Sequence, residues 1–363
     1  MKIAILGTRG IPNNYGGFEQ FAEYLSTELV RRGHAVSVYN SSHHIFQEDT
    51  YKGVQIIHKN DPENKIGTVG QFIYDLNCII DSRKRHFDVI LNLGYTSSSI
   101  WSRLFPKKSV VITNMDGQEW KRTKFSKKVQ RFLMYAEKLA VKHSDHLVSD
   151  SKGIQSYLKQ KYNIDSTYIA YGATPFDAPN EGVLEKYELE SKNYHLLIAR
   201  IEPENNIETI LDGISKAKNK TKTIVIGNAM NTFGLYLQDK YADIDHIVFM
   251  GPVYDIIVLN NLRYYSKYYF HGHSVGGTNP SLLEAMAAKS FIIAHDNKFN
   301  KSVLEENACY FNTSDDVCRL LDETIDMEED LVRENNYMKI KELYSWDYII
   351  DEYESLIIKM RKV

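Results

Sequence analysis

Short apolar runs alternate with helix-spaced stretches along the whole chain, and this alternation constrains the fold more than any other feature. Lys2–Leu6 is apolar, and residues 7–17 form a loop rich in glycine and asparagine. From residue 18 to 32, apolar side chains recur at Phe18, Phe21, Leu25 and Leu29, the spacing of one helix face. Gly33 ends that helix, and 35–39 reads as strand again. Strand, helix and strand in succession predict a βαβ unit, and so a parallel sheet with right-handed crossovers. Strand-like runs follow at 89–93, 110–113, 146–148 and 168–170. A long helix is expected over 125–141, with Ser151 as the N-cap of another. Residues 174–192 are polar, with two prolines and several acidic residues, and read as a linker. A second series runs through 195–199, 223–226, 246–250, 268–271 and 291–294. Residues 346–360 are apolar at Trp346, Ile349, Ile350, Tyr353 and Ile357, which predicts an amphipathic helix. The expectation is two doubly wound α/β domains, and 363 residues suit two cores better than one.

Composition narrows the function classes. A net charge of −3 gives no sign of a nucleic-acid binder. No stretch approaches the roughly 20 consecutive apolar residues that cross a bilayer. The opening MKIAILG is too short for a signal-peptide core and reads as a buried strand. Cys78, Cys309 and Cys318 are odd in number and widely spaced. They fit neither a disulfide framework nor a zinc site, and a reducing cytoplasm is the expected setting. The Gly7-Thr-Arg-Gly10 run lacks the G-x-G-x-x-G spacing, which argues against a dinucleotide-dependent dehydrogenase.

The chemistry concentrates in residues 271–288, HGHSVGGTNPSLLEAMAA. Gly276, Gly277, Thr278 and Asn279 follow a strand, and Pro280 suits the first turn of a helix. A glycine loop before free N–H groups at a helix N-terminus makes an anion site suited to phosphate. Glu284, one turn further in, is placed to accept hydrogen bonds from a sugar hydroxyl. Together these parts predict a site for a sugar nucleotide diphosphate. Gly16 and Gly17 hold the corresponding place after the first strand. His271 and His273 flank Gly272, with no further ligands at metal-site spacing.

The segments TRGIPNNYGGFEQFAEYL, MDGQEWKR, ARIEPENNIETIL, HGHSVGGTNPSLLEAMAA and YSWDYIIDEYESL carry a resemblance along almost the whole chain. It resembles a bacterial branch of the retaining family-4 glycosyltransferases, which includes rhamnosyltransferases of capsule and cell-wall polysaccharide assembly. The resemblance implies an α/β protein of two Rossmann-like domains facing a cleft, the glycosyltransferase B (GT-B) type. Residues 1–178 would bind the acceptor and 190–345 the nucleotide sugar, with 346–363 as a helix crossing back to the first domain. It implies no metal or other cofactor beyond the donor, dTDP-rhamnose. The sugar, L-rhamnose, would pass to a lipid-diphosphate-linked saccharide with retained configuration.

Residue by residue, Glu284 matches the second glutamate of the family's Glu-x7-Glu motif, which binds the nucleotide ribose. The first glutamate falls at Gly276 and is absent, leaving the backbone of Gly277, Thr278 and Asn279 to contact sugar or diphosphate. Arg200 matches the arginine that pairs with the diphosphate. The lysine that usually follows falls at Asn205 or Asn206, and Arg9 is the expected substitute. Gly16 and Gly17 match diphosphate or sugar contacts. Asp116 stands where many relatives have a histidine near the reaction centre, and Glu119 shares that stretch, with no base assigned between them. His273 is expected on the donor sugar or phosphate and His271 in the core.

Lys121, Arg122, Lys124, Lys127, Lys128 and Arg131, interleaved with Phe125, Phe132 and Leu133, read as a basic amphipathic face. Such a face binds anionic membrane surfaces, here the inner face of the plasma membrane. Two other readings share the fold: a nucleotide-sugar 2-epimerase, and a non-catalytic subunit of a glycan assembly complex.

Overall fold

The structure, a computed structural model, describes every residue except Tyr15, Thr123, Lys124, Lys362 and Val363. The chain divides into two compact units. The first joins residues 1–171 to 346–363, and the second spans 172–345.

In the first unit, β1 (Lys2–Leu6), α1 (Gly17–Arg31) and β2 (Ala35–Ser41) form the expected βαβ unit. The short β3 (Thr50–Tyr51) turns back into β4 (Val54–Lys59), and α2 (Glu63–Ile66) leads into α3 (Val69–Arg85). Then come β5 (Val89–Leu93), β6 (Val110–Asn114), α4 (Lys127–His143), β7 (His146–Ser149), α5 (Lys152–Tyr162) and β8 (Thr167–Tyr168). The sheet order is β3-β4-β2-β1-β5-β6-β7-β8, parallel except for the β3–β4 pair. Every residue of β5 and β6 is buried, as expected of central strands covered on both faces. Ser126 and Ser151 cap α4 and α5, each accepting a hydrogen bond from the residue three places on. The C-terminal helix Trp346–Met360 packs on α1, with Phe21 and Tyr353 rings 4.9 Å apart.

The second unit runs β9 (Tyr194–Ile198), α6 (Ile207–Lys216), β10 (Lys222–Ile226), α7 (Thr232–Lys240), β11 (Ile247–Gly251), α8 (Ile256–Tyr265), β12 (Tyr268–His271), α9 (Pro280–Ala287), β13 (Ile292–His295), α10 (Lys298–Leu304), β14 (Cys309–Phe311), α11 (Ser314–Asp322) and α12 (Glu329–Leu343); the C-terminal helix is α13. The sheet is wholly parallel, in the order β11-β10-β9-β12-β13-β14. The change of direction at β9 and β12 is a topological switch point, where doubly wound sheets bind ligands beyond their strand ends.

Residues 174–192 are not a free linker. Leu184 and Leu189 are buried, a 3₁₀ turn spans Glu181–Tyr187, and the Asn180 N–H donates to Asn261 Oδ1 at 2.6 Å. Two apolar residues five apart inside a polar stretch anchor it beside α8 of the second unit.

Candidate functional site

In the second unit, two loops at the switch point are tied to each other. The loop after β9 carries Arg200, and the loop after β12 carries Gly272 to Asn279. Gly272 lies so close to the first loop that a Cβ there would sit 2.0 Å from the Asn205 carbonyl oxygen. Asn206 Nδ2 donates to the Gly272 carbonyl at 2.7 Å, and Ser274 Oγ donates to the Glu204 carbonyl at 2.7 Å. Asn205 Nδ2 donates to the Arg200 carbonyl at 2.7 Å, and Asn231 Nδ2 to that of Ile201 at 2.7 Å. The backbone that carries Arg200 is therefore fixed. Its side chain is exposed and makes no ion pair with a described residue, including neighbouring Glu202 and Glu204. A guanidinium so placed is available to phosphate oxygens.

Gly276 has φ +131°, a conformation L side chains rarely adopt, with open space around it. The backbone here favours glycine over any residue with a side chain. Gly276 and Gly277 N–H groups make no hydrogen bond with a described residue. The helix end itself departs from the expected free anion site. Asn279 Oδ1 accepts from the Ser281 N–H at 2.9 Å, and the Asn279 carbonyl accepts from Leu282 and Leu283 at 3.0 and 3.2 Å. Pro280 has no N–H to offer. The first turn of α9 is thus satisfied within the chain, and the donors left for an anion belong to the glycine loop before it. Thr278 is buried.

Glu284 is not a solvent-facing helix residue. Its Oε2 accepts from Arg263 Nη2 at 2.6 Å, with Arg263 1% exposed and the Glu284 side chain 21% exposed. His271 is fully buried, and burial, reinforced by His273, keeps its imidazole neutral well below its usual range. The two rings stack with centroids 4.5 Å apart. The His273 carbonyl is held by Asn297 and Asn300 at 3.0 and 3.1 Å. His273 itself is half-buried beside the glycine loop. Among the described residues, no three His, Cys, Asp or Glu side chains gather as a metal site.

In the first unit, Arg9, Gly16 and Gly17 come together at the start of α1. Glu19, buried in the first turn, accepts the Arg9 N–H at 2.8 Å. Gly16 is extended and caps the helix without a side chain. The Arg9 guanidinium forms a two-pronged pair with Glu63, which Gln71 also contacts at 3.1 Å. Its charge is shared before any anion arrives. Asp116 adopts a left-handed conformation with φ +44°, and its N–H donates to Asn114 Oδ1 at 2.9 Å. Glu119 pairs with Arg122 at 2.8 Å.

That pairing corrects the basic face. Arg122, with its side chain 16% exposed and held by Glu119, is not a surface cation. Lys121, Lys127, Lys128 and Arg131 are exposed, while Lys124 lies outside the described residues. Exposed Val129, Phe132 and Tyr135 accompany them. No helix among the described residues is long and apolar enough to cross a membrane.

Residues 183–341 match the family of glycosyl transferases group 1, and residues 1–174 match a domain of unknown function, DUF1972. No curated protein matches the sequence. Sucrose-phosphate synthase from Thermosynechococcus elongatus superposes with a TM-score of 0.80 at 15% identity, covering 99% of this chain and 98% of that one. Anabaena HepE, solved in complex with UDP-glucose, gives 0.75 at 14% identity over 99% and 100% of the two chains. A glycosyltransferase from Rickettsia africae gives 0.74 at 14% identity over 99% and 98%. The chain has the GT-B fold.

With the group 1 match over the second unit, this fold supports a glycosyltransferase. Within the GT-B frame, sequence reasoning missed the groups that hold the site residues in place. Arg263 sits in the last turn of α8, and only its being the one charged residue of that helix, IIVLNNLRYY, hints at a buried role. Asn297, Asn300, Asn206 and Asn231 act by binding backbone carbonyls, which no motif announces.

Proposed function

We propose that this protein transfers L-rhamnose from dTDP-rhamnose to a lipid-diphosphate-linked saccharide, with retention, in cell-surface polysaccharide synthesis. The observation that carries the reading is the pair of tied loops in the second unit. They set an exposed arginine beside a glycine loop with open N–H donors, ahead of a carboxylate fixed on α9. The diphosphate is held by Arg200 and the N–H groups of Gly276 and Gly277, with the backbone of Thr278 and Asn279 completing the loop. Glu284 takes a ribose hydroxyl, and His273 the sugar or its phosphate. The first unit takes the acceptor; its Gly16 and Gly17 are read as contacts to the donor's diphosphate or sugar, Asp116 and Glu119 as groups near the reaction centre, and Arg9 as an added cation that Glu63 partly offsets.

The route is front-face attack: the acceptor hydroxyl bonds to the anomeric carbon as the carbon–phosphate-oxygen bond breaks. A donor phosphate oxygen takes the acceptor proton, and no residue serves as nucleophile. The protein contributes positioning and stabilisation of the departing diphosphate. No metal or other cofactor enters this reading. Lys121, Lys127, Lys128 and Arg131, with Phe132 and Tyr135 beside them, hold the enzyme on the anionic inner face of the plasma membrane, where its acceptor resides.

The test is a donor screen by thermal shift, with dTDP-rhamnose against UDP-sugars. Transfer from the stabilising donor to a lipid-diphosphate-linked saccharide in anionic vesicles is then assayed. A ligand that binds only the folded state raises the melting temperature with its affinity. Stabilisation by dTDP-rhamnose and acceptor-dependent transfer are expected. Isomerisation of the donor without acceptor would mean an epimerase, and no shift with any sugar nucleotide would defeat both readings.

A further inference from the structure

The hydrogen bonds around α9 lead from the ribose carboxylate to a buried cation that no motif contains. Arg263 is 1% exposed. Removing a guanidinium from water is costly unless its donors are met. Here Nη1 donates to Asn260 Oδ1 at 2.9 Å and Nη2 to Glu284 Oε2 at 2.6 Å, with Ser281 Oγ at 3.4 Å, while Nε is buried without a partner among the described residues. Tyr269 hydroxyl and Ser281 Oγ are 2.7 Å apart, which ties β12 to the same cluster. The Arg263 main chain is pinned as well, its carbonyl accepting from Ser266 Oγ at 2.8 Å and Ser290 Oγ at 3.0 Å.

The arrangement is asymmetric. One carboxylate oxygen of Glu284 is engaged by a rigid, buried group. The other, Oε1, makes no hydrogen bond with a described residue, and the side chain keeps 21% exposure. A free glutamate must give up rotamer freedom when it binds a ligand, and ordering it in advance removes that cost from binding.

We propose that Arg263 is a positioning residue that fixes Glu284 in the rotamer that accepts a hydroxyl of the nucleotide ribose. This rests on the reading of Glu284 as the ribose carboxylate. Arg263 does not touch the nucleotide. It sets how strongly the site distinguishes a ribose hydroxyl from its absence.

The experiment measures, by calorimetry on the full chain, the binding of UDP, dTDP and their 2′,3′-dideoxy forms, which lack both sugar hydroxyls for UDP and the 3′-hydroxyl alone for dTDP, whose sugar is already 2′-deoxy. The hydroxyl preference is the ratio of dissociation constants, dideoxy over parent, for the tighter-binding nucleotide. A hydrogen bond to a charged group predicts a preference of about tenfold to a hundredfold in the native protein. Glu284→Gln reduces it to about threefold or less, as the charge is lost. Arg263→Gln does the same while affinity for the dideoxy form stays unchanged, and Arg263→Lys recovers part of it. Asn260→Ala frees the guanidinium without removing it and lowers the preference by a smaller factor, which keeps the test open should Arg263→Gln not fold.

If Arg263→Gln and Asn260→Ala keep the native preference while Glu284→Gln loses it, Arg263 is a structural residue only and the proposal is overturned. If the native protein binds a nucleotide but shows no preference, or Glu284→Gln retains it, the ribose reading of Glu284 falls, and the role of Arg263 with it.

Discussion

At the scale of single residues, the backbone accounts for an unusual choice in the glycine loop. By the resemblance alone, Gly276 reads as a lost carboxylate. In the fold it is a backbone requirement, because φ is +131° there. Holding a side chain in such a region costs about 1–3 kcal/mol. We therefore expect Gly276→Glu not to add a ligand contact but to weaken nucleotide diphosphate binding roughly fivefold or more, with Gly276→Ala behaving alike. Calorimetry with UDP and dTDP decides this, and tighter binding by Gly276→Glu would show that the liganded loop takes another conformation. Glu284 could be picked out of the sequence because it stands one turn into a helix after a glycine loop. Its partner could not. Arg263 lies 21 residues earlier in sequence on another helix, and only packing α8 beside α9 brings them to 2.6 Å.

At the scale of elements, apolar periodicity located most of the strands and the helices α1, α4 and α13, since burial imposes it, but β4, β14 and the long helix α3 went unread. Residues 268–271 form β12 as expected, while α4 runs from Lys127 to His143 in place of 125–141, because Ser126 caps it. What periodicity cannot show is a polar group placed inside a buried strand. His195 lies in β9, stacked on Tyr268 with ring centroids 5.2 Å apart, and neither ring nitrogen has a partner among the described residues. Burial pushes its imidazole down to about 3, from an ordinary 6.5. Below pH 6.5 the unfolded chain binds a proton at this residue and the folded one does not. The stability it contributes is therefore complete above about 6.5 and is lost as the pH falls toward 3, at up to about 1.4 kcal/mol per pH unit. His271, buried in β12, acts in the same direction. Urea unfolding of the native chain should show a marked loss of stability between pH 7 and 5. The variant His195→Phe keeps a flat ring in the stack and should lose visibly less over that interval. Equal losses in both would place the acid sensitivity elsewhere.

At the scale of the whole molecule, the first unit is assembled from both ends of the chain, and its closing piece is α13. That helix buries Trp346, Ile349, Ile350, Tyr353, Leu356 and Ile357. At about 1.5–3 kcal/mol for each large apolar side chain, their burial rivals the 5–15 kcal/mol that holds a whole domain together. Polar contacts fix its register. Arg32 pairs with Glu354 at 2.7 Å and with Asp351 at 2.6 Å, and His34 Nε2 lies 2.8 Å from Glu354 Oε1. Asn114 Nδ2 donates to the Tyr353 hydroxyl at 3.0 Å, and Asn114 Oδ1 receives the Asp116 N–H at 2.9 Å. The last helix thus reaches, through one asparagine, the residue proposed to stand near the reaction centre. A chain ending at Ser345 should lose the first unit, while residues 172–345 keep their own sheet and core. Hydrogen exchange resolves the two. Amides of β1, β2, β5 and β6 should lose protection in the truncated chain, and those of β9, β10, β12 and β13 should retain it. In the full chain, Tyr353→Phe removes only the hydroxyl. It should leave protection of β1 and β2 intact and raise exchange at Asp116 and its neighbours. Unchanged exchange there would show that Asn114 holds Asp116 without help from the helix.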